Sequence, residues 1–188
     1  MKTVEAAVIG VGWVGGTRAE TLARTALVDK LHLCEIRPDR LAEVKKLYKP
    51  ATATLDYNDI IKNDNISVVY ISTTPESNHY PICRDCLKSG KNVMLEKPIA
   101  LELWEADELI QLAKRNNLKF TIGYSQRFNA KYAYVRKCLR DGTIGRPVSA
   151  LVSRHITRSL GSKISGRVKL SPAAMESTHD LDFLLWCL

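Results

Sequence analysis

The residues whose types and spacing suggest chemistry begin with three glycines near the N-terminus, Gly10, Gly12 and Gly15, which form a G-x-G-x-x-G pattern. An apolar run over Glu5–Ile9 precedes them and predicts a buried parallel strand. Gly12 would let a pyrophosphate touch bare backbone, and Gly15 would let a helix pack close to the sheet. That helix, predicted over Thr17–Arg24, adds free N–H groups and a positive dipole for phosphates. The pattern therefore predicts a dinucleotide site.

An acidic residue at the expected distance supports this interpretation. A second strand is predicted over Lys30–Glu35, and Glu35 follows Gly15 by about 20 residues, where a carboxylate accepts hydrogen bonds from an adenosine ribose. A surface glutamate after an ordinary tight turn is the alternative. Glu35 favours NAD, because a 2′-phosphate would meet its negative charge. Arg37 would accept that phosphate if Glu35 turned away, so NADP stays open.

Strands and helices alternate as far as residue 123. Further strands are predicted at Ala51–Thr54, Val68–Ser72, Asn92–Leu95 and Lys119–Ile122, and further helices at Asp39–Lys46, Asp56–Ile61, Tyr80–Ser89 and Leu103–Asn116. This alternation predicts an α/β fold, a doubly wound parallel (Rossmann) sheet that forms a dinucleotide-binding domain over residues 1–123. Ligands of such sheets bind outside the carboxyl ends of the strands. The glycine motif, residues 74–79 and residues 96–98 all follow those ends.

The pattern changes after Gly123. A helix over Ala130–Arg140, a strand over Val148–Thr157, a loop over Arg158–Lys169 and a last helix opening at Ser171-Pro172 are predicted. A lone strand is not independently stable, so either the 188 residues are a fragment or another chain supplies the missing sheet.

Composition excludes several classes of protein. The net charge of +8 suggests nucleic acid, but the basic residues are dispersed and no recognised binding motif accompanies them. We therefore expect no nucleic-acid partner. No stretch approaches the roughly 18 to 20 apolar residues of a membrane span, and the N-terminus leads straight into a strand without a signal peptide. The expectation is a cytoplasmic protein without a membrane partner.

The cysteine content also agrees with a cytoplasmic protein. The chain has 5 cysteines, an odd number, which favours reduced thiols. Cys83 and Cys86 have C-x-x-C spacing. They fall inside a predicted helix rather than at its N-terminus, and no second pair is available for zinc. We interpret them as structural.

Several short motifs, in order along the whole chain, resemble the Gfo/Idh/MocA family (glucose-fructose oxidoreductase/inositol dehydrogenase). They are Gly10–Gly15, Thr74–His79, Gly90–Val93, Glu96-Lys97-Pro98, Arg127-Phe128-Asn129, Ile144–Pro147 and His179-Asp180-Leu181-Asp182. The resemblance implies a nicotinamide-dependent oxidoreductase that acts on a sugar, polyol or related small molecule. A non-catalytic dinucleotide-binding regulatory or sensor protein is the alternative.

The resemblance also implies roles for individual residues. Lys97 would hydrogen-bond the reacting oxygen and hold the substrate, and the Lys97–Pro98 bond would be cis. His179 would take the hydroxyl proton during oxidation. The unperturbed pKa of an imidazole is about 6.5, which suits a group that accepts and releases a proton near neutral pH. The implied cofactor-binding residues are Gly10, Gly12, Trp13, Val14, Gly15, Glu35, Arg37, Thr73, Thr74, Pro75, His79, Glu96, Lys97 and Arg127. No metal site is implied.

The chain departs from the family at two points. Met175 stands where relatives often carry an aspartate four residues before the histidine, so Glu176 or Asp182 would have to orient His179. The second departure is length. Family members usually continue into an open antiparallel sheet that covers the active site and often joins subunits. Residues 124–188 would then be the N-terminal part of an incomplete α+β substrate and oligomerisation domain, and we expect a homo-oligomer when that domain is complete.

Overall fold

The structure is a computed structural model that describes residues 3–155, 157–159 and 172–188, with the side chains of 172–175 outside the description. The chain divides into two compact units, Met1–Gly123 and Tyr124–Leu188. Each unit is described by itself.

The first unit is a six-stranded parallel sheet with helices on both faces. Its strands are β1 (Val4–Ile9), β2 (Val28–Cys34), β3 (Thr52–Thr54), β4 (Ile66–Ile71), β5 (Asn92–Leu95) and β6 (Phe120–Ile122), in the order β3-β2-β1-β4-β5-β6. Its helices are α1 (Trp13–Arg24), α2 (Pro38–Tyr48), α3 (Tyr57–Lys62), α4 (His79–Lys88) and α5 (Leu103–Arg115). The predicted α/β class and doubly wound parallel sheet are confirmed.

Two apolar cores, one on each face, hold the sheet between its helices. Ile71 and Leu95 belong to the core under α4 and α5, whereas Val8 and Leu33 belong to the core under α1 and α2. The central strands β1 and β4 are buried on both sides, which is why they are apolar almost throughout rather than alternating. The strand order reverses beside β1, which pairs with β2 on one side and β4 on the other. A crevice therefore opens at the carboxyl ends of these strands.

The first helix begins earlier than the sequence predicts. The expected start was Thr17, but α1 begins at Trp13 and includes Gly15 and Gly16, both buried. Glycine is a poor helix former, which favours the later start. Close packing of α1 on the sheet outweighs that propensity here, because side chains at these two positions would collide with neighbouring groups.

The second unit contains α6 (Ala130–Arg140), as predicted, and α7 (Pro172–Cys187). The strand predicted over Val148–Thr157 is wrong for the described residues 148–155 and 157, which form no strand. Val148 and Leu151 are 92% and 96% exposed. A strand needs a neighbouring strand for its hydrogen bonds, and the described part of this unit offers none. Most of the predicted loop over 158–169, and the predicted cap at Ser171, lie outside the described residues.

The cysteines are all free thiols, as expected. Cys83 and Cys86 are buried inside α4, where loss of water raises the pKa of the Cys83 thiol and raises that of Cys86 to about 12. These thiols stay protonated and fill the core, as a structural role requires. No helix among the described residues has the length and apolar character to cross a membrane.

Candidate functional site

The glycine motif separates into positions that the fold needs and one position that it does not. Gly10 has φ +83°, and a methyl group there would lie 2.5 Å from the Ser72 carbonyl oxygen. A methyl group at Gly15 would lie 1.9 Å from the carbonyl oxygen of Gly10. At Gly12 the same methyl group would meet nothing within 4 Å. Gly12 therefore faces open space at the N-terminus of α1, as a cradle for phosphates requires.

Two charged side chains, Glu35 and Arg40, form hydrogen bonds with the backbone of the turn that contains these glycines. Glu35, which is buried directly after β2, accepts the N–H of Val11 on Oε2 at 3.1 Å. Arg40 of α2 donates Nε–H to the Val11 carbonyl at 2.8 Å and Nη2–H to that of Gly12 at 3.3 Å. No sequence pattern predicts this role for Arg40, because the role depends on the docking of α2.

Arg37 lies beside the same carboxylate. Its backbone N–H and its Nε–H both donate to Glu35 Oε1, at 3.2 and 3.3 Å. Glu35 thus stands at the carboxyl end of β2, where a ribose would lie. The predicted contacts of Glu35 and Arg37 with a cofactor stay predictions. So do those of Trp13 and Val14, whose side chains are exposed at the start of α1.

Two proline turns form the next part of this edge. The Thr74–Pro75 and Lys97–Pro98 peptide bonds are both cis, the second as the resemblance implies. His79, 1% exposed, lies between the turns and approaches the Pro98 carbonyl with Nδ1 at 2.7 Å and the Thr73 carbonyl with Nε2 at 3.2 Å. His79 therefore joins the turn after β4 to the turn after β5. Its contact with a cofactor stays a prediction, and both of its ring nitrogens face protein carbonyls.

Replacing His79 by alanine is expected to weaken NADH binding about tenfold, or about 1.4 kcal/mol. The two turns would lose their link, and buried carbonyls would lose a donor, so unfolding free energy should fall by about 2–4 kcal/mol. Fluorescence titration with NADH and urea unfolding measure the two effects. His32→Ala is the matched control, since His32 is also buried and bonded at both ring nitrogens, to Thr52 and Glu5. It should lose stability and keep NADH affinity. Equal NADH affinity in both variants would contradict the linking role.

Glu96 and Lys97 follow β5 at the same edge. Glu96 is 9% exposed, and its carboxylate accepts the Tyr70 hydroxyl and, on Oε2, the backbone N–H of Lys97 at 3.3 Å. The side chain of Lys97 is partly buried. Tyr70 is a second residue that the sequence analysis missed, because a tyrosine in an apolar strand is typical of a core position.

In the second unit, the His-Asp-x-Asp motif lies on α7, and both of its aspartates are held by arginines. Arg127 donates Nε–H and Nη2–H to the two oxygens of Asp182, at 2.9 and 2.6 Å. Arg154 grips Asp180 in the same forked way, at 2.7 and 2.6 Å, and lowers the pKa of that carboxyl. His179 immediately precedes Asp180 and lies three residues before Asp182. The two forks tie the helix that carries it to residues far away in the chain.

The aromatic ring of Tyr124 packs edge-on to the imidazole of His179, with ring centroids 6.3 Å apart. An orienting role for Glu176 or Asp182 toward His179 stays a prediction, as does contact of Arg127 with a cofactor. The Met175 side chain lies outside the described residues.

A family comparison bears directly on this arrangement. The model of the oxidoreductase family with an NAD-binding Rossmann fold, GFO_IDH_MocA, matches residues 4–124. The chain belongs to the Gfo/Idh/MocA family. The match covers the whole parallel sheet, the glycine motif and the Glu96-Lys97-Pro98 turn, so the first unit is the NAD-binding domain of this family.

Similar proteins agree with this assignment. The chain is 26% identical over 182 residues to the inositol 2-dehydrogenase/D-chiro-inositol 3-dehydrogenase of Lactiplantibacillus plantarum, covering 95% of the chain and 51% of that protein. It is 29% identical over 140 residues to the myo-inositol 2-dehydrogenase of Thermotoga maritima, covering 74% of the chain and 42% of that protein. The apo scyllo-inositol dehydrogenase from Lactobacillus casei superposes with a TM-score of 0.83 at 25% identity, covering 99% of the chain and 55% of that structure. The chain thus spans about half the length of the relatives it matches.

The first unit fits the cofactor that this family binds. Gly12 leaves an open cradle at the N-terminus of α1, and an acidic side chain stands at the carboxyl end of β2. NAD needs both features, one for its pyrophosphate and one for its adenosine ribose. The residues present therefore suit NAD, and the Gfo/Idh/MocA assignment and the geometry point to the same cofactor.

Proposed function

We propose that the protein is an NAD-dependent dehydrogenase that oxidises a CH–OH group of a polyol, with inositols as the first substrates to test. The observation that carries this proposal is the edge of the parallel sheet. The glycine turn, the Thr73–Pro75 turn and the Glu96–Pro98 turn meet there, at the point where the strand order reverses. The inositol dehydrogenases among the relatives support the choice of substrate class.

The residues would divide the work as follows. Lys97, at the carboxyl end of β5, would donate a hydrogen bond to the reacting oxygen and hold the substrate. His179 would remove the hydroxyl proton as general base. Bound NAD supplies the hydride acceptor. Support for these roles comes from the position of Lys97, two residues beyond the end of β5, and from the arginine forks that hold the helix carrying His179.

NAD is proposed over NADP. The Glu35 carboxylate is buried and fixed by the Val11 N–H, so it would stay near the 2′ position of a bound adenosine. A 2′-phosphate would meet that charge at close range, whereas a 2′-hydroxyl would donate to it.

Two measurements test the proposal in sequence. Titration of the protein with NADH and NADPH, followed by nicotinamide fluorescence, should give clearly tighter binding of NADH. NAD reduction, followed at 340 nm with myo-inositol, scyllo-inositol and glucose as substrates, should then proceed with at least one inositol. Binding without turnover on any sugar or polyol would favour the regulatory alternative. Binding of neither cofactor would contradict the whole assignment.

A further inference from the structure

Three side chains from distant parts of the first unit meet beside the Lys97 turn. Tyr70 of β4 pairs with Met94 of β5, and Glu96 lies two residues beyond Met94. Residues two apart in a strand point to the same face, so Tyr70 and Glu96 share the face that α1 covers. Arg18, on α1, reaches down to both. The packing of α1 on the sheet thus brings together groups 26 and 52 residues apart.

These side chains form a continuous chain of contacts. The Tyr70 hydroxyl donates to Glu96 Oε1, and the Arg18 Nε–H donates to the Tyr70 oxygen at 3.2 Å. Arg18 Nη2 lies 3.9 Å from Glu96 Oε1. The other Glu96 oxygen, Oε2, accepts the Lys97 backbone N–H. These contacts therefore connect α1, the helix that begins in the glycine turn, to the backbone of Lys97.

Because Glu96 and Tyr70 are buried, their polar groups need the hydrogen-bonding partners that these contacts supply. Glu96 and Tyr70 are 9% and 5% exposed, and a carboxylate with so little water requires charged or hydrogen-bonding partners. Burial, together with the bond to Glu96, raises the pKa of Tyr70, so its hydroxyl keeps its proton and remains a donor. The hydrogen bond to Tyr70 raises the pKa of Arg18, which stays charged.

The space around the carboxylate is also closed on the side of β6. Gly123 follows β6 and donates its N–H to the Leu95 carbonyl at 2.8 Å. A methyl group at Gly123 would lie 2.8 Å from Glu96 Oε1. The carboxylate therefore occupies a slot bounded by Tyr70 on one side and a residue without a side chain on the other.

We propose that Tyr70 is a positioning residue of the active site. With Arg18 it fixes the carboxylate of Glu96, and Glu96 in turn fixes the turn that carries Lys97. This inference rests on the proposed function for its kinetic consequence, because the position of Lys97 affects turnover only if this edge is the active site. The geometric part, Tyr70 fixing the Lys97 backbone, is testable without any turnover.

Tyr70→Phe is the central variant, since it removes one oxygen and keeps the ring that fills the core. Glu96 Oε1 would lose the hydroxyl that donates to it. We expect kcat with the inositol that the protein oxidises to fall about 10- to 100-fold, because small misplacements of a reacting group have effects of that size. The Kd for NADH should stay within about threefold, because the glycine turn is untouched. Tyr57→Phe is the matched control. Tyr57 also donates to a carboxylate, that of Asp85 at 3.1 Å. The Tyr57→Phe variant should leave kcat unchanged.

The readout that needs no turnover is the exchange of the Lys97 amide hydrogen with solvent, measured by NMR on 15N-labelled protein. In Tyr70→Phe it should exchange about tenfold faster than in the wild type, and in Tyr57→Phe at the wild-type rate. An unchanged Lys97 exchange rate in folded Tyr70→Phe would overturn the proposal. If the wild type oxidises no polyol, the proposed function fails, and the exchange rate alone then decides the role of Tyr70.

A second variant protects the test against misfolding of the first. Gly123→Ala pushes the Glu96 carboxylate from the opposite side and leaves the Tyr70 hydroxyl in place. It should also speed exchange at Lys97 and lower kcat. Wild-type exchange and wild-type kcat in Gly123→Ala would show that displacement of this carboxylate does not reach Lys97, against the proposal.

Discussion

Substitution of Lys97 by methionine is expected to lower kcat for polyol oxidation by about 10²- to 10⁴-fold, the usual contribution of a positioned proton donor or acceptor. Methionine keeps the length and apolar part of the side chain and removes only the ammonium group. The charge would be lost where the reacting oxygen develops negative charge, so KM for the polyol should also rise. Stopped-flow or steady-state assays at 340 nm give both constants. NADH affinity should stay within about threefold of the wild type.

The same strand supplies the control. Lys91 immediately precedes β5 and Lys97 closely follows it, so the two lysines mark opposite ends of one strand. Lys91 is 3% exposed and donates Nζ–H to the Asn63 carbonyl at 2.6 Å. Lys91→Met should therefore lower stability and leave kcat close to the wild type. Equal losses of kcat in both variants would contradict an active-site role for Lys97, and loss of NADH binding in Lys97→Met would contradict its role toward the substrate.

What the sequence predicts correctly is set by local rules. Parallel strands bring their carboxyl ends to one edge, so the sequence predicts that the glycine motif, Thr74–His79 and Glu96–Pro98 lie together at that edge. The roles of Arg40 and Tyr70 were missed because each depends on a contact about 26 to 29 residues distant in sequence. The sequence on either side of Arg40 or Tyr70 contains no pattern that predicts such a contact.

The second unit shows the complementary limit. Helix α6 was predicted with the observed bounds, since helical hydrogen bonds are local and Asn129 supplies the N-cap. The strand predicted over Val148–Thr157 is absent from the described residues 148–155 and 157. A side-chain pattern marks the faces of a strand, but only a neighbouring strand can satisfy its backbone. The arginine forks on Asp180 and Asp182 come from 26 and 55 residues away. Spacing alone could not assign them.

Gly12→Val is expected to weaken NADH binding by at least about 100-fold, or about 2.7 kcal/mol, without lowering the melting temperature by more than about 2 °C. The fold leaves room for this side chain. Apart from its two chain neighbours, no protein atom lies within 4 Å of a methyl group at Gly12, and its φ of −62° lies outside the left-handed region that favours glycine. The added isopropyl group would instead fill the cradle where the pyrophosphate meets bare backbone. Fluorescence titration and thermal unfolding measure the two quantities.

Gly15→Ala provides the contrast that makes the result specific. Its methyl group would lie 1.9 Å from the Gly10 carbonyl oxygen, so either α1 or the glycine turn would have to move. This variant should lose both stability and NADH affinity, because the turn and the helix packing fail together. If Gly12→Val also unfolds the domain, the open space at Gly12 serves the fold and not a ligand. If Gly12→Val binds NADH as tightly as the wild type, the pyrophosphate does not lie in this cradle. Loss of affinity in a stable Gly12→Val, beside loss of both in Gly15→Ala, is the pair of results that a phosphate cradle requires.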